Sequence, residues 1–167
     1  PAVPAVVDED LGLNLSSLGN IEITDADAGN AVVSVQLSVS RGTITVDTAV
    51  AGGPQIAGNG TSVVGLSGTL AAINNLLDSF VNYQSLLNVN TTHGPEVLTI
   101  LANDLGNSGG PAASSIARIT ITVNPVNDAP QISLPGTAPS VAEDTDLRIP
   151  AISISDPDVT EAGARQR

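Results

Sequence analysis

In four stretches of this chain apolar and polar residues alternate one for one, a period that a helix cannot use. Ala31, Val33, Val35, Leu37 and Val39 alternate with Val32, Ser34, Gln36, Ser38 and Ser40, and Ile44 and Val46 with Thr43 and Thr45. Leu98, Ile100 and Ala102 alternate with Val97, Thr99 and Leu101, and Ala117, Ile119, Ile121 and Val123 with Arg118, Thr120 and Thr122. Successive side chains of a strand point to opposite faces, so the pattern predicts antiparallel strands with one buried and one wet face. Glycine punctuation at Gly52-Gly53, Gly58-Asn59-Gly60 and Gly106 to Gly110 supplies turns between them. With one Phe, one Tyr and no Trp, Met or Cys, the core must be built from Val, Ile, Leu and Ala, which favours pleated packing. One stretch departs from the period: Thr69 as N-cap, with Leu70, Ile73 and Leu77 at helical spacing, predicts a short helix across one end of the sandwich. Phe80 and Tyr83 after it read as core. The expected fold is all-β, a sandwich of about seven strands with one short helix.

The pattern then begins again, about 130 residues on. Pro1-Ala2-Val3 corresponds to Pro130-Gln131-Ile132, Val7-Asp8-Glu9-Asp10 to Ala142-Glu143-Asp144, and Ile21-Glu22-Ile23, read as the second strand, to Ile152-Ser153-Ile154. Asp25-Ala26-Asp27 corresponds to Asp156-Pro157-Asp158, and Asp27-Ala28-Gly29 to Glu161-Ala162-Gly163. This predicts a complete unit over 1–126, and a linker with the truncated start of a second over 127–167, an excerpt of a longer tandem array. Prolines at 125 and 130 make the linker a strut rather than a tether. The second unit stops before the strands needed to bury Ile149, Ile152 and Ile154.

Charge narrows the function. There are 17 acids against five Arg, no Lys, and a net charge of -12. Nucleic acid is excluded as a partner, because phosphate binding rests on clustered Lys and Arg. Anionic membrane surfaces are disfavoured likewise, and no apolar run reaches the ~18 residues of a membrane-inserted span. A single His93, read as an exposed turn residue, and the lack of Lys and Cys remove most nucleophiles and bases, so an enzyme is not expected. A glycosidase carboxylate pair is disfavoured because the acids recur at repeat-equivalent positions rather than around one cleft. Asn59-Gly60-Thr61 and Asn90-Thr91-Thr92 match the glycosylation sequon.

Most acids gather in short loops: Asp8, Glu9 and Asp10; Asp25 and Asp27; Asp104; Asp128 beside Asn127; and Glu143, Asp144, Asp156 and Asp158. Hard oxygen ligands without His or Cys suit Ca2+, which takes about 6 to 8 of them in irregular geometry. Acidic loops serving solubility alone are the competing reading.

The ordered set of Glu9, Asp25-Ala26-Asp27-Ala28-Gly29-Asn30, Ala102-Asn103-Asp104-Leu105-Gly106-Asn107 and Asn127-Asp128-Ala129-Pro130 resembles cadherin repeats. It is closer to the cadherin-like tandem domains of large bacterial surface proteins and RTX-type adhesins, which the stretch Gly68 to Asn74 also resembles. The resemblance implies an Ig-like Greek-key sandwich that binds Ca2+ at inter-repeat junctions. One half-site would draw on Glu9, Asn127, Asp128, Asp156 and Asp158, with Glu143 as the second unit's counterpart of Glu9. Another would draw on Asp25, Asp27 and Asp104. The family's acidic motif before the penultimate strand is missing, and Asn88, Asn90 and Glu96 lie in that region as candidate substitutes for it. The implied role is a non-catalytic repeat of an extracellular, secreted or surface-bound adhesin. Its partners would be neighbouring repeats of the same chain and a surface polysaccharide or protein. The alternative is an accessory or carbohydrate-binding module of a secreted polysaccharide-active enzyme or lectin.

Overall fold

The structure, a computed structural model, describes residues 4–19, 21–107, 110–136, 139–149 and 152–160. The matches made through Pro1-Ala2-Val3 and Glu161-Ala162-Gly163 lie outside them. The chain forms two compact units, Pro1–Pro125 and Val126–Arg167. It is mostly β-sheet with one short helix, distributed over three sheets.

In the first unit the predicted alternation becomes β3 (Val33–Ser38), β4 (Thr43–Val46), β8 (Glu96–Asn103) and β9 (Ser114–Asn124). β1 (Ala5–Asp8), β2 (Gly12–Asn14), β5 (Gln55–Ala57), β6 (Val63–Gly68) and β7 (Val81–Gln84) bring the described strands of this unit to nine rather than seven. The six-stranded sheet runs β1-β9-β8-β3-β6-β5 and the three-stranded sheet β2-β7-β4. All pairings are antiparallel except β1 with β9, where Ala5 stands opposite Ile121 and Asp8 opposite Asn124. The chain crosses repeatedly from one sheet to the other, so both close on one core of Val33, Val35, Leu37, Leu66, Leu98 and Ile121 on one side and Ile44, Val46, Val81 and Tyr83 on the other.

Helix α1 (Leu70–Ser79) is the expected helix. Thr69 Oγ1 accepts from Ala72 N at 3.2 Å, closing the first turn, and the apolar stripe buries Ile73, Leu76 and Leu77. Each such side chain contributes about 1.5 to 3 kcal/mol. Phe80 ends the helix in extended conformation and is 38% exposed, so it is not the core residue expected. Tyr83 is core, on the middle strand of its sheet; beside it Gly42 has φ 92°, and a Cβ there would collide with the Gln84 carbonyl and lie 3.0 Å from the ring.

Ile21–Ile23 is not the expected second strand. The Ile23 N–H and carbonyl are instead paired by the Asn74 side chain of α1, at 2.9 Å each. An amide on a helix here replaces a ladder partner.

In the second unit β10 (Gln131–Ser133) pairs antiparallel with β11 (Ser153–Ser155). Ile132, Ile149, Ile152 and Ile154 are all more than half exposed.

Candidate functional site

Asp25 and Asp104 come together at one end of the first unit's six-stranded sheet, with Asp27 two residues beyond Asp25. Asp25 Oδ1 accepts from Asp27 N at 3.1 Å and Ala28 N at 3.2 Å, an Asx turn. Asp104 follows β8, and its Oδ1 accepts from Gly106 N at 2.9 Å and Ala113 N at 2.7 Å, tying the β8–β9 connection. Asp25 and Asp104 line one pocket of about 180 Å³ with Asn103 and Ser114. Asp27 is exposed beside it. In both Asp25 and Asp104 one carboxylate oxygen serves the backbone while the pocket lies open to the side chain.

Glu9 sits elsewhere. Its N–H donates to the Asn124 carbonyl at 2.9 Å, at the other end of β9 from Ser114. Eleven strand residues separate the two ends, about 30 Å at the usual rise. Glu9 is 2% exposed, and its Oε2 accepts from Asn90 Nδ2 at 3.2 Å. Asp10 beside it, at φ 63°, accepts from Asn88 N through Oδ1 at 2.9 Å and donates its own N–H to Ser85 Oγ at 3.2 Å. Asn88 and Asn90 thus lie with the Glu9-Asp10 turn. Glu96 does not: its carboxylate accepts from Ser40 N, Ser40 Oγ and Arg41 N at 2.9, 3.1 and 3.2 Å, with Arg41 Nε at 3.7 Å. That saturation removes it from the ligand candidates. The Arg41 guanidinium donates onward to the His93, Gly94 and Pro95 carbonyls, so the clip anchors the loop that carries Asn90. His93 itself is exposed, as expected.

Nothing in a linear reading of the acids pointed to this clip, although parity could have. Glu96 occupies the inward position two before Leu98, and an inward carboxylate needs donors. Its charge and burial push the Tyr83 phenol up to about 12, burial being the larger cause and Arg41 opposing. Both sequon asparagines are also spoken for: Asn59 Nδ2 donates to the Val46 carbonyl and Asn90 Nδ2 to Glu9.

Two turns of the second unit match turns of the first. Glu143-Asp144 forms the same turn as Glu9-Asp10, with Asp144 at φ 62°, though Glu143 is exposed. Asp156 Oδ1 accepts from Asp158 N at 3.0 Å, matching the Asp25 to Asp27 bond. Asp158 Oδ2 in turn accepts from Asp128 N at 2.8 Å, so the linker acid and the D-P-D acids are joined within this unit. Asn127 is exposed and donates through Nδ2 to the Asp128 carbonyl. Asp158 Oδ1 is buried with no hydrogen-bond partner among the described residues. Among the described residues no cationic side chain forms an ion pair with Asp158.

Among the described residues no three His, Cys, Asp or Glu side chains gather into a ready-made metal cage. No described helix is long and apolar enough to cross a membrane. Comparison with protein-family models, with curated proteins and with solved structures finds no match.

Proposed function

We propose that this chain is a calcium-binding, non-catalytic repeat of cadherin-like type from an extracellular multidomain adhesin, in which Ca2+ at repeat junctions stiffens a rod. The observation that carries the reading is Asp158 Oδ1, a carboxylate oxygen shut from water with no donor and no cationic side chain among the described residues. A buried charge is costly unless paired or bound to metal, and an all-oxygen surrounding suits Ca2+. In the second unit Asp128, Asp156 and Asp158 would hold the ion, with carbonyls and water completing the shell. In the first unit Asp25, Asp27 and Asp104 form one candidate set, and Glu9 with Asn127 and Glu143 belong to the sets the resemblance implies. The ion supplies positive charge where these carboxylates would otherwise repel, and the chain's part is to hold them by Asx turns before it arrives. The parallel β1–β9 pairing and the crossings between sheets support the Greek-key form of the fold.

Calorimetric titration of the chain with Ca2+ after EDTA treatment tests this. Wild type should bind, Mg2+ should bind more weakly because it holds its waters, and Asp158→Asn should remove one site while circular dichroism stays unchanged. No heat above dilution, or a full complement of sites in the variant, would leave solubility as the use of the acids. For the rod, small-angle scattering from a chain of two complete repeats should give a longer particle in Ca2+ than in EDTA.

A further inference from the structure

Gly65 lies in the middle of β6, paired with Gln36 of β3 on one side and Ala57 of β5 on the other, with the register continuous through it. A glycine inside a strand weakens it and is found where the chain bulges, bends or is approached closely. Here there is no bulge, the φ is not positive, and a Cβ would meet only the Ala57 methyl at 3.9 Å. Neither backbone conformation nor packing within the fold calls for glycine at this position.

Its visible effect is on the outer face of the six-stranded sheet. Gly65 and Ala57 form the floor of a trough of about 450 Å³, bordered by Ser34, Gln36, Gln55 and Ser67. Cross-strand pairing fixes these borders: Ser34 stands opposite Ser67, and Ser67 opposite Gln55. The four border side chains make no hydrogen bond among the described residues, so two amides and two hydroxyls are left to solvent. None of the lining residues is ionisable, in a chain with 17 acids. A trough of this size, held on rigid strands and largely apolar with neutral donors and acceptors along its border, has the character of a ligand site.

We propose that this trough binds a neutral oligosaccharide, with Gln36 and Gln55 hydrogen-bonding sugar hydroxyls across the space that Gly65 keeps open. A polyhydroxylated ligand matches paired donors and acceptors without charge, whereas the net charge of -12 repels an acidic glycan. No aromatic ring lines the trough, so affinity is low, about 1 mM or weaker. The site is separate from the acidic loops and does not depend on their metal.

The test is 1H–15N NMR titration of the full chain with neutral hexasaccharides of glucose, mannose, galactose and xylose, each in EDTA and in Ca2+. At least one should shift Gln36, Gln55, Gly65 and Ser67 amides and the two glutamine side chains, equally in both buffers. Gly65→Val should weaken that binding tenfold or more with the melting temperature unchanged or raised, and Gln36→Ala should weaken it without filling the trough. Absence of shifts with all four sugars at tens of millimolar overturns the proposal. So do shifts located elsewhere, or binding undiminished in Gly65→Val. Shifts of the same residues with protein concentration alone would mean that a second copy occupies the trough, which also overturns it. Loss of calcium binding in the calorimetric test leaves this result untouched.

Discussion

Glu96 at the start of β8 and Asp158 in the second unit both have carboxylate oxygens closed off from water, but their surroundings differ in kind. Around Glu96 three donors and a guanidinium converge from the β3–β4 turn. Around Asp158 one oxygen accepts a peptide N–H and the other has no hydrogen-bond partner among the described residues. The first is a fastener complete within the fold; the second has one oxygen to which the described residues bring no donor. Acidity alone does not tell these two carboxylates apart, and the count of donors at each oxygen does.

The largest effect should come from breaking the complete site. Glu96→Ala leaves the Ser40 N–H and hydroxyl and the Arg41 N–H without their acceptor and removes the partner of the Arg41 charge, and urea denaturation at pH 7 should show a loss of about 3 to 5 kcal/mol. The loss should be the same in EDTA and in Ca2+. A loss under about 1 kcal/mol would place Glu96 among ordinary surface acids and remove the contrast.

Next comes calcium. At 100 times Kd the ion should stabilise what it binds by about 2.7 kcal/mol. Glu96→Ala should gain as much as wild type, because Glu96 and Asp158 belong to different compact units and share no hydrogen-bond partner, and a thermal melt in both buffers reads the difference. An identical melt for wild type in EDTA and in millimolar Ca2+ would put Asp158 on the same footing as Glu96, a carboxylate needing nothing more.

Tyr83 reports on the Glu96 region from the alkaline side. Its pKa is about 12 in the fold and about 10 when unfolded, so the folded state holds the phenolic proton more tightly. The stability this contributes is complete below pH 10 and is lost as pH rises toward 12, on the order of 2 to 3 kcal/mol. With no Lys in the chain, no ammonium titrates in that window. Urea midpoints from pH 9 to 12 for wild type and Tyr83→Phe should diverge only above about pH 10. A parallel decline in both would show that the phenol's burial does not govern it.

The smallest effect should be Asp25→Asn. The amide oxygen can still accept from Asp27 N and Ala28 N, so thermal stability in EDTA should change by about 0.5 kcal/mol or less. A loss above about 1 kcal/mol would mean that the charge at Asp25, and not only its turn, is part of the fold.

Strands β3, β4, β8 and β9 were legible because half their side chains must enter a core, and helix α1 because Thr69 and its apolar stripe carry both start and face. Strands β5 and β6 were not, since Gly65, Ser67 and Gly68 dilute the alternation of Val64 and Leu66. Ile21–Ile23 misled for the opposite reason: its alternating apolar residues look like a strand, but Asn74, 51 positions away, takes its backbone groups. Of the candidate site, the D-A-D and D-P-D turns were visible as motifs because their bonds span two or three residues. Glu96 was misread because its donors lie 55 and 56 residues away.

What the linear chain determines is what short range and parity can carry. It sets which side chains face inward, where Thr69 caps a helix, where Asx turns form, and that two stretches about 130 residues apart share those turns. Tertiary structure alone decides which element faces each inward group. Period two assigns a side chain to a face but says nothing of what packs there. Hence Glu96 meets Ser40 and Arg41, Glu9 meets Asn90, Asp25 and Asp104 share a pocket, and Gly65 opens a trough only once β3 and β5 flank it.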